Sequence, residues 1–456
     1  MIFEQVLNRD LGCASYLLGD GGEAVVVDPR FDIDVYLEIA DRARLRITHV
    51  LDTHDHADHV SGRPRLAAAT GARAYRAATQ GDDSEGRIRP GQEITVGAVA
   101  MKAVATPGHR PEHLVFVVWD LGRGGDPWLV LTGDSLLVGD LARPDLVLDA
   151  EAGARAMYQS LRPLLDLGDH VEIWPAHVGG SLCGGAGLSA KASSTIGYER
   201  RYNPLLSAEE SQFVLGLTGG MRPRPPSVDR IVSINTGAVP DAPREPVQLS
   251  VDELRIMLRE RVTVLDSRLP SEFDDAHLAG SINLPVVSPG VGTRAGWVLD
   301  PDARIVIVSG SHAEARQMAC ALHAVGLWET PGYVLADGAT ETDGLLPIAR
   351  ADSWNVEQLA AGLRHDTVEL VDVRDTSEWV AGHVPGSHHI PLHRMRENPG
   401  ANLPVGRTTA VACAGGIRAA FAASLLRSAG RSDVVRVAGG GVFDLPTHGV
   451  ELAPGA

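Results

Sequence analysis

The spacing of apolar positions changes along the chain, and those changes outline its elements. In the first half, the β-branched runs Glu23–Val27, Arg46–Leu51, Val99–Val104, Trp128–Leu131 and Val171–Trp174 predict strands. Helical spacing over Asp34–Arg44 and Glu151–Leu165 predicts helices between them. Between 221 and 246, Pro223, Pro225, Pro226, Pro240, Pro243 and Pro246 interrupt both patterns, which predicts a domain boundary near 240–246. Beyond it the chain repeats itself. The run VLDSRLPSEFDDAHLAGSINLP (264–285) matches LVDVRDTSEWVAGHVPGSHHIP (370–391) without gaps, and Asp266/Asp372, Arg268/Arg374, Glu272/Glu378, Gly280/Gly386 and Pro285/Pro391 coincide. Each copy runs on into an apolar strand (Arg304–Val308; Thr408–Ala412), a short loop and an alanine-rich helix (Ala313–Val325; Ile417–Ser428). This pattern predicts two α/β domains with parallel sheets. The expected division is 1–245, 246–348 and 349–456.

A chain of 456 residues is too long for one ordinary core, which agrees with three domains. The 41 basic against 58 acidic residues leave a net charge of −17. No basic block stands out, so neither nucleic acid nor an anionic membrane is an expected partner, while a small anion needs only a local arginine or two. The first residues lack the basic and apolar regions of a signal peptide, and no apolar run is long enough to span a membrane. Cys13, Cys183, Cys320 and Cys413 lie in four unlike contexts, which predicts reduced thiols and a cytoplasmic setting. Homo-oligomerisation is left open.

The run THDHADH places His54, His56, Asp58 and His59 just after a predicted strand, and His109 (TPGH), Asp134 (TGD) and His177 (PAH) follow three others. Side chains at the ends of several strands converge on one crevice, and imidazole with carboxylate suits zinc, iron or manganese. His113 lacks such a place and is read as structural or helix-capping. These motifs resemble the metallo-β-lactamase fold over roughly residues 1–205. The stretches GDSLLVGDLARPDL (133–146) and PAHVGGSLCGG…SSTIGYERRYN (175–203) resemble the persulfide dioxygenases, in particular the bacterial form fused to rhodanese domains.

That resemblance implies an αβ/βα sandwich followed by two rhodanese-like α/β domains. It implies one ferrous ion on His54, His109 and Asp134, with open positions for a persulfide sulfur and dioxygen, and sulfite and thiol as products. Arg143 is the candidate for holding a substrate carboxylate. His56, Asp58, His59 and His177 are also present, so they either hold a second metal or orient the first set. A zinc-dependent thioester hydrolase of the glyoxalase II kind would use them as ligands. A sulfur-carrier scaffold is the non-enzymatic alternative.

In the last repeat, Cys413-Ala-Gly-Gly-Ile-Arg418 follows the strand and opens the helix, where backbone N–H groups and the helix dipole favour a thiolate. Gly415 and Gly416 permit the tight turn, and Arg418 is placed to hold an anionic donor. The run resembles the rhodanese loop, which makes Cys413 the persulfide carrier, exchanging sulfur among persulfide, sulfite and thiosulfate. The middle repeat puts Ser309, His312 and Glu314 where Cys413, Gly416 and Arg418 stand, so it is expected to be non-catalytic. Cys320 is read as a small buried hydrophobe. Cys13 and Cys183 stay ambiguous between packing and, for Cys183, a substrate channel.

Overall fold

The computed structural model describes residues 1–79, 86–146, 148–179, 183–185, 187–219, 223–237, 243–340, 345–396, 400 and 403–455, so the expected boundary falls partly outside the described residues. The chain forms two compact units, Met1–Pro240 with Ala324–Gly326, and Asp241–His323 with Leu327–Ala456. No helix among the described residues is long and apolar enough to cross a membrane.

The first unit is a sandwich of two six-stranded sheets. One sheet runs in order β1 (Ile2–Asn8), β2 (Cys13–Asp20), β3 (Glu23–Val27), β4 (Arg46–Leu51), β5 (Arg73–Ala77) and β6 (Arg87–Ile88). The other holds β7 (Glu93–Val96), β8 (Val99–Ala105), β9 (Leu114–Asp120), β10 (Leu129–Gly133), β11 (Glu172–Pro175) and β12 (Ser194–Thr195), with β12 and β7 at its edges. Period-two alternation splits each strand between two cores. Tyr16, Leu18, Val25 and Leu51 meet Val99, Met101, Phe116 and Leu131 between the sheets. Leu17, Val26 and Val50 face outward onto Tyr36, Ile39 and Leu66 of the helices Asp34–Ala43 and Arg63–Thr70. Val115, Val117 and Val130 likewise meet Met157 and Phe213 on the opposite flank.

Two local expectations are revised. The single helix expected over Glu151–Leu165 is two, Ala150–Ser160 and Arg162–Leu165, because Pro163 has no N–H to continue the first and suits the opening turn of the second. The proline-rich stretch after 221 is not featureless either. It holds a helix, Val228–Asn235, in the proline-free interval between its two clusters.

In the second unit the two repeats share one topology of parallel strands. The middle sheet runs Val247–Gln248, Gly332–Leu335, Ile305–Ser309, Thr263–Asp266, Ile282–Asn283, and the last runs Ser353–Trp354, Val434–Val437, Thr408–Ala412, Val368–Asp372, His388–His389. Register agrees as well: Asp266 pairs with Val308 as Asp372 pairs with Ala412. The DxR frame shared by the repeats is a strand-end clamp, since Arg268 and Arg374 each turn back on Asp266 and Asp372 and also bond a carbonyl, of Ala276 and Gly382 respectively. His277 and His383 stack on Phe273 and Trp379 at the same step.

A buried ion pair joins the repeats: Arg436 donates through Nε (3.1 Å) and Nη2 (2.5 Å) to Asp274 Oδ2. A buried guanidinium stripped of its carboxylate keeps its desolvation cost and loses the attraction that offsets it. Asp274→Ala is therefore expected to destabilise the second unit by about 3–5 kcal/mol, read as a lowered denaturant midpoint; an unchanged midpoint would show the pair contributes nothing.

Candidate functional site

The strand ends β4, β8, β10 and β11 deliver His54, His109, Asp134 and His177 to one buried crevice. Which imidazole nitrogen faces inward follows from what the other one bonds. Thr53 Oγ1 gives its only proton to Asp28 Oδ2 at 2.9 Å, so it accepts from His54 Nδ1, also at 2.9 Å, and His54 Nε2 carries the lone pair. His109 Nδ1 donates to the Arg143 carbonyl at 2.7 Å, which bares its Nε2. Asp134 Oδ2 lies 3.4 Å from His109 Nε2 and 3.9 Å from His54 Nε2. Ligand atoms about 2.1 Å from one ion stand about 3.0–3.4 Å apart, so this set closes on a single cation with a small adjustment. Both bare Nε2 atoms are buried and make no hydrogen bond, a cost that a bound cation removes. Burial lowers the affinity of both rings for a proton, as neutral ligands require.

The remaining candidates form neighbouring sets. His56 groups with Asp58 and His59, and with Asp28 and Asp52, and not with the His54–His109–Asp134 set. His56 Nε2 is 3.1 Å from Asp28 Oδ1. His177 Nδ1 donates to the Gly12 carbonyl at 3.3 Å, and its Nε2 stands 3.2 Å from Asp134 Oδ2 and 3.4 Å from Asp58 Oδ2. The Cys13 thiol donates to Asp58 Oδ2 at 3.3 Å. Cys183 packs with Ala57, Leu146 and Val228, and burial pushes its thiol up to about 12.

Three findings go beyond the sequence. His113 is structural, yet caps no helix: its Nδ1 donates to Thr106 Oγ1 (2.8 Å) and its Nε2 accepts the Asp134 N–H (2.8 Å), fixing the backbone of the carboxylate ligand. Burial pushes its pKa down to about 3, which keeps that acceptor available. Gly133 is required beside it, since φ is +50° and a Cβ would fall 2.6 Å from His113 Nε2. Arg143, the candidate for a substrate carboxylate, pairs Nε and Nη2 with Asp145 at 2.6 Å each, and its carbonyl accepts from His109 Nδ1. Finally, Asn235 lies in the proline-rich stretch before the expected boundary, where no motif singled it out. Its buried amide donates to the carbonyls of His56 and His59 (2.8 Å each) and accepts the Ser61 N–H (2.9 Å), so it fastens the HxHxDH loop.

In the second unit, Cys413 is 2 % exposed at the end of its strand, and the Gly416 N–H points at its Sγ at 3.0 Å. Gly416 needs its freedom (φ +92°), whereas a Cβ at Gly415 would meet open space. Gly441 closes the loop from behind; a Cβ there would lie 2.1 Å from the Cys413 carbonyl oxygen. Arg418 is held by Glu378 at 2.5 and 2.8 Å, so any anionic donor shares it with a carboxylate. In the middle repeat the register sets Ser309 at the position of Cys413, but the helix starts at His312, one residue sooner than Ile417 does. His312 thus opens the helix instead of replacing a turn glycine. Glu314 fills the loop from inside, accepting the Gly310 N–H at 3.2 Å and the Ser309 hydroxyl at 3.5 Å. Cys320 is half-buried on that helix.

A two-sheet sandwich with a histidine–carboxylate crevice at its strand ends is a scaffold suited to metal binding, followed here by two α/β repeats of one topology. Family models agree: the metallo-β-lactamase superfamily matches residues 8–177, and the rhodanese-like domain matches 250–342 and 355–444. The chain is 29% identical over 226 residues to the mitochondrial persulfide dioxygenase ETHE1 of Bos taurus, covering 48% of this chain and 82% of that protein. It is 34% identical over 169 residues to a hydroxyacylglutathione hydrolase of Anaeromyxobacter dehalogenans, covering 36% and 60%. A solved metallo-β-lactamase from Staphylococcus aureus matches with a TM-score of 0.65 and 30% identity, covering 73% of this chain and 99% of that one. The chain belongs to the metallo-β-lactamase superfamily and carries two rhodanese-like domains after that domain.

Removing the Asn235 amide leaves a buried N–H and two carbonyls without partners, at about 1–3 kcal/mol for each group that water cannot reach. Asn235→Ala is expected to lower metal content severalfold and depress the melting temperature of the first unit, with Cys413-dependent sulfur transfer intact. Full metal occupancy at wild-type affinity would rule out the fastening role.

Proposed function

We propose that the first unit oxidises a low-molecular-weight persulfide and that the last repeat transfers sulfane sulfur. The compact triad His54, His109 and Asp134, with His56 outside it, carries this reading: it supports one metal with open positions. Iron is the expected metal. Bound ferrous iron supplies the redox partner that lets dioxygen react with a spin-paired sulfur. The protein's share is orientation: Thr53, Arg143 and His113 fix ligand tautomers and backbone, and burial excludes water from the crevice. Overall, a persulfide anion, dioxygen and water give a thiol, sulfite and a proton, the persulfide S–S bond being broken. In the last repeat the Cys413 thiolate attacks the outer sulfur of thiosulfate, the S–S bond breaks and sulfite leaves. Run in reverse, sulfite from the first unit takes sulfur from the Cys413 persulfide. The four cysteines form no disulfide, which supports a reducing, cytoplasmic setting.

A second reading, a dinuclear zinc thioester hydrolase, draws on the neighbouring sets around Asp58, His59 and His177 and on the hydroxyacylglutathione hydrolase likeness. Metal stoichiometry separates them. One iron per chain with persulfide-dependent oxygen uptake is the expected result; two zinc ions and thioester cleavage without oxygen uptake would replace it.

The two activities should also separate by mutation. Asp134→Ala is expected to abolish metal binding and oxygen uptake while sparing transfer, and Cys413→Ser the converse; oxygen uptake at full rate in the first variant would overturn the ligand set.

The middle loop makes a negative prediction. Glu314 already occupies the place an anion would take, and a carboxylate there disfavours thiolate. A Ser309→Cys, Cys413→Ser variant is therefore expected to show no thiosulfate-dependent transfer above the Cys413→Ser background. Restored turnover would mean this loop lacks only its sulfur.

A further inference from the structure

Three guanidinium groups beside the crevice are held by carboxylates through short bonds. Arg76 spends Nε and Nη2 on Asp55 at 2.8 and 2.5 Å, Arg143 spends both on Asp145, and Arg63 bonds Asp52 at 2.7 Å. Arg110 differs. Its side chain is 5 % exposed, and its Nε donates to Glu112 Oε1 at 2.9 Å. Its Nη1 is buried and meets no acceptor among the described residues. That Glu112 oxygen also accepts the Asp55 N–H at 3.1 Å, and the Asp55 carboxylate is already spent on Arg76. An arginine cannot discard its proton, so a buried guanidinium N–H with no acceptor costs more than a neutral orphan.

Its position says what the acceptor would be. Arg110 directly follows His109, and Glu112 ties it to the backbone of Asp55, which directly follows His54. The guanidinium is thus fastened to both loops that carry His54 and His109. We propose that Arg110 Nη1 receives the anionic sulfur group handled at this centre: the terminal sulfur of a persulfide anion on entry, and a sulfite oxygen on departure. The inference deepens the persulfide reading and rests on it. A planar guanidinium suits such an anion by charge and hydrogen bonding together. It gives no comparable gain to an uncharged thioester, so the same residue would select ionised persulfides and leave the thiol half unselected.

The test uses full-length, iron-loaded protein in a Cys413→Ser background, so that the metal centre alone takes the probe. Sulfite is titrated anaerobically by calorimetry into the parent, Arg110→Gln and Arg110→Lys, and oxygen uptake on a persulfide is measured for each. Loss of one charge-assisted hydrogen bond predicts about a ten- to hundredfold weaker sulfite affinity in Arg110→Gln. KM for persulfide should rise by a similar factor with a smaller change in kcat, and Arg110→Lys should recover part of both. Unchanged sulfite affinity in an iron-replete Arg110→Gln protein overturns the proposal and leaves the guanidinium bound to internal water alone. If Arg110→Gln does not retain iron, Arg110→Lys decides: a severalfold loss of sulfite affinity supports the proposal and parental affinity overturns it. Absence of oxygen uptake in the parent would sink the persulfide reading instead, and the sulfite titration would still report whether Arg110 takes an anion.

Discussion

A histidine can hold a metal only when one ring nitrogen is unprotonated and aimed, and the hydrogen bond at the other nitrogen decides both. The first unit depends on this constraint. His54 is set by Thr53, which can only accept because Asp28 has taken its proton. His109 is set by the Arg143 carbonyl and His177 by the Gly12 carbonyl. The ligands that converge on the crevice are thus oriented by backbone or by hydroxyls with no proton left to give. The same logic explains His113, which faces the backbone of Asp134 instead of the metal position. Four strand ends supply the residues, and a further set of acceptors turns one ring nitrogen of each histidine toward the crevice.

That arrangement places several charges where water cannot screen them. Arg63, Arg76 and Arg143 answer Asp52, Asp55 and Asp145 with short bonds. Pairs of this kind add little net stability, because the desolvation cost of each ion nearly matches their attraction. Their effect is to hold loops: Asp52 and Asp55 flank His54, and Asp145 lies two residues from Arg143, whose carbonyl orients His109. The interior is tuned for position at small net cost. Arg110 is set apart by its place, directly after His109 and tied through Glu112 to the backbone of Asp55, with a buried Nη1 that meets no acceptor among the described residues.

Much of this could be read from the chain. HxHxDH, TPGH, TGD and PAH lie at strand ends because apolar runs precede them, and the gapless match of 264–285 with 370–391 carries the shared topology of the repeats. The partners that finish the sites were not legible, for physical reasons. Asn235 lies 174 residues from Ser61, whose N–H it accepts, and no local pattern links the two. Proline density marked its stretch as broken, yet the interval from 227 to 239 is free of proline and long enough for two turns of helix. The pairing of Arg143 with Asp145, two residues on, is set by the fold of the loop and is not given by the two charges alone. The shortened turn before His312 was hidden because a gapless alignment cannot register a one-residue change at a helix start.

The middle repeat shows why frame and chemistry separate so cleanly. Its DxR clamp, parallel register and stacked histidine all match the last repeat, since each of these holds the strand ends together and is selected by folding. The loop is different, because a nest of N–H groups must be satisfied whether or not a thiolate is there. In the last repeat Cys413 accepts the Gly416 N–H. Without a cysteine the nest needs another anion, and Glu314 provides it from the first turn of its own helix. The carboxylate thus stands in this loop where the sulfur stands in the last repeat, bonded to the Gly310 N–H and the Ser309 hydroxyl. With that acid in place the middle repeat keeps its fold, its strand-end clamp and, through Asp274, its grip on Arg436 of the last repeat.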